Sequence, residues 1–321
     1  MVYYREYMKA VQISQYGGNE VLEINENVSK PTPSKNQVLV EVYAASINPV
    51  DWKIREGYLK GMAPLEFPIV LGGDFAGRVI ELGEAVSDFK KGDEAYGSAI
   101  VLNGGSGSFA EFLVANTSNT ARKPTSVNFE EASALPLVGA SAIQALEDHI
   151  KLKSKQKILI HGGAGGIGHI AIQLAKAIGA YVATTVSTPD IEFVKQLTAD
   201  LVIDYKSQNF EDVVKDFDAV YDTVGGSVTE KSFIVLKKGG ILVSMLGLPN
   251  QELAEKYGVT PIGQNTQTNT KHLKRVAELV YSGKIKVNVD KVFSLEQAKE
   301  AFVYQEEVRP RGKVVLHIKE P

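Results

Sequence analysis

The stretch Lys157-Ile-Leu-Ile-His-Gly-Gly-Ala-Gly-Gly-Ile-Gly168 joins an apolar run to a glycine-rich turn and then to a helical pattern. The run Ile158–Ile160 is continuous rather than alternating, as expected of a strand that is buried on both faces of a parallel sheet. After the turn, apolar residues recur at the spacing of one helix face as far as Ile178, and Gly179 follows as a stop signal. The stretch therefore predicts the strand–turn–helix unit of a doubly wound α/β sheet.

The glycines of this turn have the spacing Gly163-x-Gly165-x-x-Gly168. Gly163 is expected to permit a tight turn, Gly165 to let the backbone approach a pyrophosphate, and Gly168 to let the helix pack closely against the strand. The N–H groups and the positive dipole end of the helix then face the phosphates. A glycine-rich turn without a ligand is the alternative, but the strand before it and the helix after it favour dinucleotide binding.

The composition is that of an ordinary globular protein, with 44% hydrophobic and 23% charged residues in a chain of 321. This length suggests roughly two domains. A net charge of −3 gives no reason to expect nucleic acid or an anionic membrane as a partner, and no apolar run approaches the ~20 residues of a transmembrane span. The chain has no cysteine, which excludes disulfides and fits a reducing compartment, so we expect a cytoplasmic protein.

Many short segments of strand character, separated by glycine, fill the first third of the chain. They are residues 9–14, 20–25, 37–45, 70–82 and 109–115. Several short strands with turn signals between them predict a β-rich, partly closed barrel.

The pattern changes after Pro124. Residues 130–146 predict a helix that is bent at Pro136, and strand and helix then alternate, as in right-handed βαβ units. The closing segment 313–318 has the character of the first strands, and we expect it to return to the barrel.

The predicted fold class is therefore α/β, with a doubly wound parallel sheet of the Rossmann type and a separate barrel domain. We expect the barrel domain to comprise residues 1–125 with 290–321, and the Rossmann domain to comprise residues 126–289. Residues 1–7 carry no clear pattern and are expected to form a loosely ordered extension.

The cofactor is predicted from the segment that follows the phosphate helix. An NAD site usually places a carboxylate about 20 residues after the glycine turn, whereas residues 183–188, Ala-Thr-Thr-Val-Ser-Thr, carry hydroxyls and no carboxylate. Ser187 and Thr188 can bind a 2′-phosphate, although they equally fit the capping of the next helix. Tyr205 can approach the adenosine. NADPH is therefore favoured, although no Arg or Lys is seen nearby and Asp190 is acidic.

Seven separated stretches of the chain match a known pattern, in order. They are Met8-Lys-Ala-Val-Gln12, Asn48-Pro-Val-Asp-Trp-Lys53, Gly72-Gly-Asp-Phe-Ala-Gly77, Leu135-Pro-Leu-Val-Gly-Ala-Ser141, Gly163–Gly168, Tyr221-Asp-Thr-Val-Gly-Gly226 and Gly312-Lys-Val-Val-Leu316. Together they resemble the zinc-independent quinone oxidoreductases of the medium-chain dehydrogenase/reductase superfamily. The second stretch is most similar to the enone and alkenal reductases of that family.

The resemblance implies a GroES-like catalytic domain from both chain ends, a Rossmann domain between them and an active site in the cleft. It also implies NADPH-dependent reduction of a quinone or an α,β-unsaturated carbonyl by a homodimer. The positions that match the family's cofactor contacts are Lys53, Gly166, Ile167, Ser187, Thr188, Tyr205, Leu246, Arg311 and Gly312. The turn glycines and Gly247 join this set, and Asp222 and Val224 would lie near the nicotinamide. Other quinone oxidoreductases have Tyr in place of Lys53, so quinone activity transfers less directly.

The zinc alcohol dehydrogenases share this architecture but need Cys and His ligands. This chain has no Cys, and Gly72-Gly73-Asp74 stands where those enzymes would have Gly-His-Glu. The histidines show no metal-ligand spacing; they are His149, His161, His169, His272 and His317. We therefore predict that no metal is bound.

Hydride transfer without zinc requires another group to stabilise the negative charge on the substrate carbonyl. Lys53 is the first candidate through its ammonium, and Asn48 is the second through its amide; an ordinary solvated lysine and a turn residue are the alternatives. Asp51 either orients Lys53 or caps a turn, and Trp52 and Tyr58 either line the pocket or belong to the core. A non-catalytic NADPH-binding sensor or crystallin-like structural protein is the alternative function, and the presence of Lys53 with Asn48 favours the enzyme.

Overall fold

The computed structural model describes residues 6–61 and 64–320. Its strands are β1 Tyr7–Ile13, β2 Glu23–Ser29, β3 Gln37–Ile47, β4 Ile69–Val70, β5 Asp74–Leu82, β6 Glu94–Ser98, β7 Phe112–Asn116, β8 Thr120–Arg122, β9 Lys157–His161, β10 Tyr181–Val186, β11 Leu201–Asp204, β12 Phe217–Asp222, β13 Leu236–Ser244, β14 Thr260–Gly263, β15 Val289–Ser294 and β16 Lys313–His317. Its α-helices are α1 Pro49–Arg55, α2 Phe129–Ser133, α3 Pro136–Ile143, α4 Gly166–Ile178, α5 Ile191–Gln196, α6 Phe210–Val213, α7 Ser227–Val235, α8 Gln251–Tyr257, α9 Thr270–Tyr281 and α10 Ala298–Val308.

Two compact units make up the chain. The first contains Met1–Leu137, Thr268–Tyr281 and Val289–Pro321, and the second contains Val138–Gln267 and Ser282–Asn288. Of the predicted N-terminal extension, residues 1–5 lie outside the described residues, and Tyr7 already belongs to β1.

The first unit is built on a seven-stranded sheet in the order β15-β16-β3-β5-β6-β8, with β7 also paired to β3. A three-stranded sheet, β2-β1-β4, accompanies it. As predicted, the closing strand β16 returns to this unit, where it pairs with β3 in antiparallel register. The fully buried side chains of Val11, Ile47, Phe109 and Phe302 belong to one apolar core of the unit. This is the β-rich unit that the sequence predicts.

The second unit is a six-stranded sheet in the order β11-β10-β9-β12-β13-β14. Every neighbouring pair of strands in it is parallel. The strand Lys157–His161 lies inside the sheet, and Ile158, Leu159 and Ile160 are fully buried, which is why the sequence shows a continuous apolar run there. The order reverses beside this strand, because β10 lies on one side of it and β12 on the other. Such a switch point is where α/β sheets bind ligands.

The predicted helix over residues 130–146 is divided into shorter segments. Helix α2 ends at Ser133, Pro136 begins α3, and a π-helical segment, Gln144–His149, follows. A proline has no N–H to donate within a helix but fits the first helical position, so the chain ends one helix and starts another instead of bending a single one.

Residues 126–137 and α9, which the sequence prediction assigns to the Rossmann domain, group with the first unit. The ring of Phe129 stacks on Tyr43 of β3 with 4.5 Å between the ring centroids. The hydroxyl of Tyr96 donates a hydrogen bond of 2.5 Å to the carbonyl oxygen of Leu273 in α9. Aromatic packing and a buried hydrogen bond therefore anchor both segments to the barrel strands. Among the helices of residues 6–61 and 64–320, none is long and apolar enough to cross a membrane.

His161 ends β9 and is completely buried. Its Nδ1 lies 3.0 Å from the hydroxyl of Thr185, and its Nε2 lies 3.1 Å from the hydroxyl of Ser232. Burial lowers the pKa of His161 to about 4, against the opposing influence of Asp222 and Glu211. The imidazole is therefore neutral in the folded protein and holds the carboxyl end of β9 to two neighbouring elements.

This burial predicts a pH-dependent contribution to the free energy of unfolding. Unfolded His161 has a pKa of about 6.5, so its contribution is complete above that pH and is lost as the pH falls from 6.5 towards 4. Between pH 8 and pH 5 the loss is about 2 kcal/mol. Urea denaturation at both pH values should show that the unsubstituted protein loses about this much more than His161→Gln. An equal loss in the two proteins would contradict the neutral, buried imidazole.

Candidate cofactor site and catalytic side chains

The predicted cofactor residues of the second unit lie together at one edge of its sheet. The glycine turn follows β9, Ser187 and Thr188 follow β10, and Tyr205 follows β11. Asp222 ends β12, and Leu246 with Gly247 comes shortly after β13. All of these strands are parallel, so their carboxyl ends share one edge, where doubly wound sheets bind nucleotides.

The turn spans Gly162 to Gly165, whose N–H donates to the carbonyl oxygen of Gly162 at 3.0 Å. Gly162, and not Gly163, has the left-handed backbone, with φ +74°. Gly163 is needed for another reason, since a Cβ there would lie 2.1 Å from the hydroxyl oxygen of Thr184. At Gly168 a Cβ would lie 2.1 Å from the carbonyl oxygen of Gly162, so this glycine allows α4 to approach the turn closely, whereas the sequence prediction was a close approach to the strand.

Gly165 has no comparable neighbour, because a Cβ there would come no closer than 3.4 Å to any protein atom outside its chain neighbours. The space beside its backbone is therefore open, directly before the first turn of the 13-residue helix α4. An open backbone face at the N-terminus of a long helix fits a pyrophosphate group. The glycine turn thus meets the requirement of the dinucleotide that the sequence predicts.

The hydroxyl pair predicted to bind a 2′-phosphate is held by carboxylates. Ser187 donates a 2.5 Å hydrogen bond to Asp190, and Thr188 donates a 2.7 Å hydrogen bond to Asp204. The bond from Thr188 is the main cause of the lowered pKa of Asp204, so that carboxylate is charged. Both hydroxyls are therefore occupied within the protein, and a phosphate has to compete for them.

A cation missed by the sequence analysis stands beside Tyr205. The ammonium of Lys206 lies 5.3 Å from the centroid of the Tyr205 ring, and the backbone N–H of Lys206 donates to Asp204 at 2.9 Å. The same Asp204 carboxylate accepts the Thr188 hydroxyl, so Thr188 and the backbone of Lys206 share one carboxylate. Its position directly after Tyr205 is the sequence signal that could have identified Lys206 as this cation. The prediction considered only cations close to Ser187 in sequence.

Asp222 acts on the loop that follows it. Its Oδ1 accepts hydrogen bonds from the backbone N–H groups of Val224 at 2.9 Å and Gly225 at 3.0 Å, and its Oδ2 accepts the hydroxyl of Thr229. The carboxylate is fully buried, whereas the side chains of Val224 and Leu246 are half exposed. Asp222 therefore fixes the loop that carries Val224. Leu246, from the segment after β13, lies beside Gly225 of this loop, and the two apolar side chains can pack on a nicotinamide ring.

The catalytic candidate Lys53 lies in α1 of the first unit. Its ammonium is 5.6 Å from the centroid of the Trp52 ring, and Trp52 meets Tyr58 edge to face at 5.6 Å. Trp52 also packs against the apolar core, while Tyr58 is exposed. Within residues 6–61 and 64–320 the Lys53 ammonium makes no hydrogen bond or ion pair, so its charge remains available to a ligand.

The second candidate, Asn48, is 1% exposed and belongs to a buried polar cluster. Its amide nitrogen donates to Asp74 at 2.9 Å, and its amide oxygen accepts from the ammonium of Lys313. Asp51 accepts the backbone N–H of Asn48 at 2.7 Å, which is the capping role considered from the sequence. Within residues 6–61 and 64–320, the second hydrogen of the amide nitrogen has no hydrogen-bond partner.

Burial changes the protonation of this cluster. It raises the pKa of Asp51 to about 7 and that of Asp74 to about 6, and it lowers the pKa of Lys313 to about 8. The cluster was not foreseen, because its members are distant in sequence. Arg311 and Gly312, predicted to bind the cofactor, directly precede Lys313. Among the residues that the structure describes, no three His, Asp or Glu side chains are grouped so as to hold a metal ion.

Known families and proteins are similar to this chain over nearly its whole length. Residues 34–125 match the alcohol dehydrogenase GroES-like domain, and residues 197–316 match the family described as zinc-binding dehydrogenase. The 2-methylene-furan-3-one reductase of Solanum lycopersicum is 40% identical over 97% of this chain and 79% of its own length. The NADPH-dependent alkenal/one oxidoreductase, chloroplastic, of Arabidopsis thaliana is 38% identical over the same shares. The structure of the quinone oxidoreductase from Coxiella burnetii superposes with a TM-score of 0.88 at 35% identity, covering 98% of this chain and 100% of that one.

Gly165 of the turn and Gly168 of α4 make a matched pair for testing the site. Gly168→Ala should lower the free energy of unfolding by about 1–3 kcal/mol, because its Cβ has no room. Gly165→Ala should leave stability nearly unchanged yet weaken dinucleotide binding about tenfold, because its Cβ enters the open face. Urea denaturation and fluorescence titration with NADPH measure the two effects. Unchanged affinity in Gly165→Ala would show that the pyrophosphate lies elsewhere.

Proposed function

Because this chain belongs to the zinc-independent quinone oxidoreductase-like family of the medium-chain dehydrogenase/reductase superfamily, we propose that it is an NADPH-dependent reductase of α,β-unsaturated carbonyl compounds or quinones. The observation that carries the proposal is the uncommitted ammonium of Lys53 in a chain whose relatives are named as enone, alkenal and quinone reductases. The stretch Asn48-Pro-Val-Asp-Trp-Lys53 favours enones and alkenals over quinones. A second candidate, a protein that binds NADPH without turnover, leaves this lysine without a role.

NADPH supplies a hydride when it is bound. The residues proposed to hold it are Gly163, Gly165, Gly166, Ile167 and Gly168 at the pyrophosphate. Ser187, Thr188 and Tyr205 are proposed to hold the adenosine side, and we add Lys206 as the cation for a 2′-phosphate. Val224, Leu246 and Gly247 are proposed to face the nicotinamide, with Asp222 fixing the loop that carries Val224. The last group, Lys53, Arg311 and Gly312, comes from the first unit.

Reduction of an enone places negative charge on the carbonyl oxygen as the β-carbon receives hydride. A preorganised donor aimed at that oxygen lowers the barrier, because it is stronger towards the enolate than towards the neutral carbonyl. We assign this role to the ammonium of Lys53, with the remaining amide hydrogen of Asn48 as a second donor. Asp51 contributes by capping the first turn of α1, which carries Lys53.

The assembly and location of the protein also belong to this proposal. We propose a homodimer, as the family resemblance implies, which light scattering on the purified protein will test. We propose a cytoplasmic location because the lack of cysteine fits a reducing compartment, although the Arabidopsis relative is named as chloroplastic.

The function is tested by following NADPH oxidation at 340 nm with a panel of enones, alkenals and quinones. We expect turnover with at least one class, and we expect EDTA to leave the rate unchanged because the chain has no cysteine to complete a catalytic zinc site. Tight NADPH binding without turnover on the whole panel would support the non-catalytic candidate. Activity that is lost with EDTA and restored by zinc would overturn the metal-free mechanism.

Lys53→Met should lower kcat on the best enone by about 10²–10³-fold, because a charged donor to the developing enolate is lost. Methionine keeps much of the stem that packs beside Trp52, so charge and volume are separated. Lys60→Met, which removes an exposed ammonium shortly after α1, is the matched control and should keep its kcat. A near-normal kcat in Lys53→Met would make Asn48 the leading donor.

Preference for NADPH over NADH should depend on Lys206. Lys206→Ala should lower kcat/KM for NADPH about tenfold, because a charge-assisted hydrogen bond to the 2′-phosphate is lost, and should leave the value for NADH unchanged. Lys237→Ala is the control, since Lys237 lies near the amino end of β13, at the opposite edge of the sheet, and pairs with Asp218. Equal losses with the two cofactors, or an NADH preference in the unsubstituted protein, would contradict this assignment.

A further inference from the structure

Three neighbouring strands of the first unit bring distant polar residues side by side. Strand β16 pairs with β3 so that Val314 is opposite Ile47, which sets Lys313 beside Asn48. On the other side of β3, Ser46 is opposite Asp74 at the start of β5. Lys313, Asn48 and Asp74 therefore form a row across one end of the sheet, and all three are buried.

The contacts in this row allow one orientation of the Asn48 amide. The ammonium of Lys313 can only donate, and it donates to the amide oxygen of Asn48 and, at 2.6 Å, to the carbonyl oxygen of Ile47. The carboxylate of Asp74 accepts from the amide nitrogen at 2.9 Å and from the backbone N–H of Leu137 at 3.1 Å. Turning the amide by 180° would place donor against donor and acceptor against acceptor.

We propose that Lys313 is a positioning residue of the reduction, which together with Asp74 locks the Asn48 amide so that its second N–H is aimed at the substrate carbonyl. This inference rests on the proposed function, because it takes Asn48 as a donor to the enolate. In this role the ammonium of Lys313 acts through Asn48 and does not itself contact the cofactor or the substrate. A donor contributes most when it does not have to reorient during the reaction.

The charges around the amide agree with this assignment. The charged or titratable groups of the cluster are Lys313, Asp74 and Asp51, the last of which holds the backbone N–H of Asn48. Burial raises the pKa of Asp51 to about 7, so near neutral pH this carboxyl is partly protonated, and Asp74 is the carboxylate that attracts the Lys313 ammonium most strongly. Attraction between buried opposite charges is weak evidence of a contribution to stability. The more specific effect of these two charges is to orient the Asn48 amide, which lies between Lys313 and Asp74.

The decisive experiment is a double-mutant cycle on kcat with the best enone. Lys313→Met should lower kcat by about 10²-fold in the unsubstituted background, as expected when a donor is misplaced. In the Asn48→Ala background the same substitution should lower kcat no further, because the group that it positions is absent. The affinity for NADPH, measured by fluorescence titration, should stay within about twofold in every variant that folds.

Lys123→Met is the matched control for the loss of a buried ammonium. Lys123 is also buried, and it donates to the carbonyl oxygens of Val127 at 2.6 Å and Pro124 at 3.1 Å and pairs with Glu94 at 3.2 Å. Lys123→Met should lower the free energy of unfolding without lowering kcat. If Lys313→Met does not fold, the pair Asp74→Asn with Lys313→Met removes both charges together, and its kcat is compared with and without Asn48→Ala.

The outcomes separate this inference from the proposed function. If the two losses in kcat simply multiply, or if Lys313→Met keeps its kcat, the positioning role of Lys313 is overturned while the reductase activity stands. If Asn48→Ala alone keeps its kcat, Asn48 is not a donor and the inference fails for that reason, with the role of Lys53 untouched. Only failure of the unsubstituted protein on the whole substrate panel overturns the proposed function.

Discussion

One buried ammonium joins the closing strand of the first unit to the junction of β3 and α1, and the orientation of the polar groups at this junction depends on it. Lys313 belongs to the closing strand. Its ammonium donates hydrogen bonds to the carbonyl oxygen of Ile47 and to the amide oxygen of Asn48, where β3 ends and α1 begins. Removing an ammonium from water costs several kcal/mol, which Asp74 and these oxygens only partly offset. An apolar side chain would have closed the same sheet without this cost. The ammonium instead fixes the orientation of the Asn48 amide, because it binds the amide oxygen and so leaves the amide nitrogen on the side of Asp74.

Buried carboxylates serve the same purpose in both units. Asp51 accepts the N–H of Asn48 at the start of α1, and Asp222 accepts those of Val224 and Gly225 after β12. In each case the backbone segment so held carries the residues proposed to touch ligand, while the carboxylate itself stays inside. Segments with few backbone partners of their own are thereby kept in one conformation, which is what a reaction with a charged transition state requires of its surroundings.

The sequence predicted the parts of this arrangement that are local. The apolar run of β9, the glycine turn and α4 lie within one stretch of sequence. The hydrophobic pattern and the glycine spacing of that stretch were sufficient to predict all three. Helix α1 was missed although Asn48, Pro49 and Asp51 carry its N-terminal signature, because the capping role considered for Asp51 was assigned to a turn and not to the start of a helix. The row formed by Lys313, Asn48 and Asp74 could not be predicted from the sequence. These residues are brought together only by the register of β16, β3 and β5, and β16 comes from the far end of the chain. No periodicity within a window encodes that register.

The absence of a ribose-binding carboxylate after β10 is not sufficient to predict a preference for NADPH. The segment after β10 lacks the usual ribose-binding acid, yet Asp204 arrives there from the parallel neighbour β11, opposite Val186, and takes the hydroxyl of Thr188. A 2′-phosphate close to this charged carboxylate would be repelled, so a nearby cation has to compensate. Lys206 is the cation that we propose for this role, since its backbone N–H is bound to that carboxylate and its ammonium lies 5.3 Å from the Tyr205 ring centroid. The proposed selectivity for NADPH therefore rests on a balance between Asp204 and Lys206, and only the pairing of β10 with β11 brings Asp204 to this position.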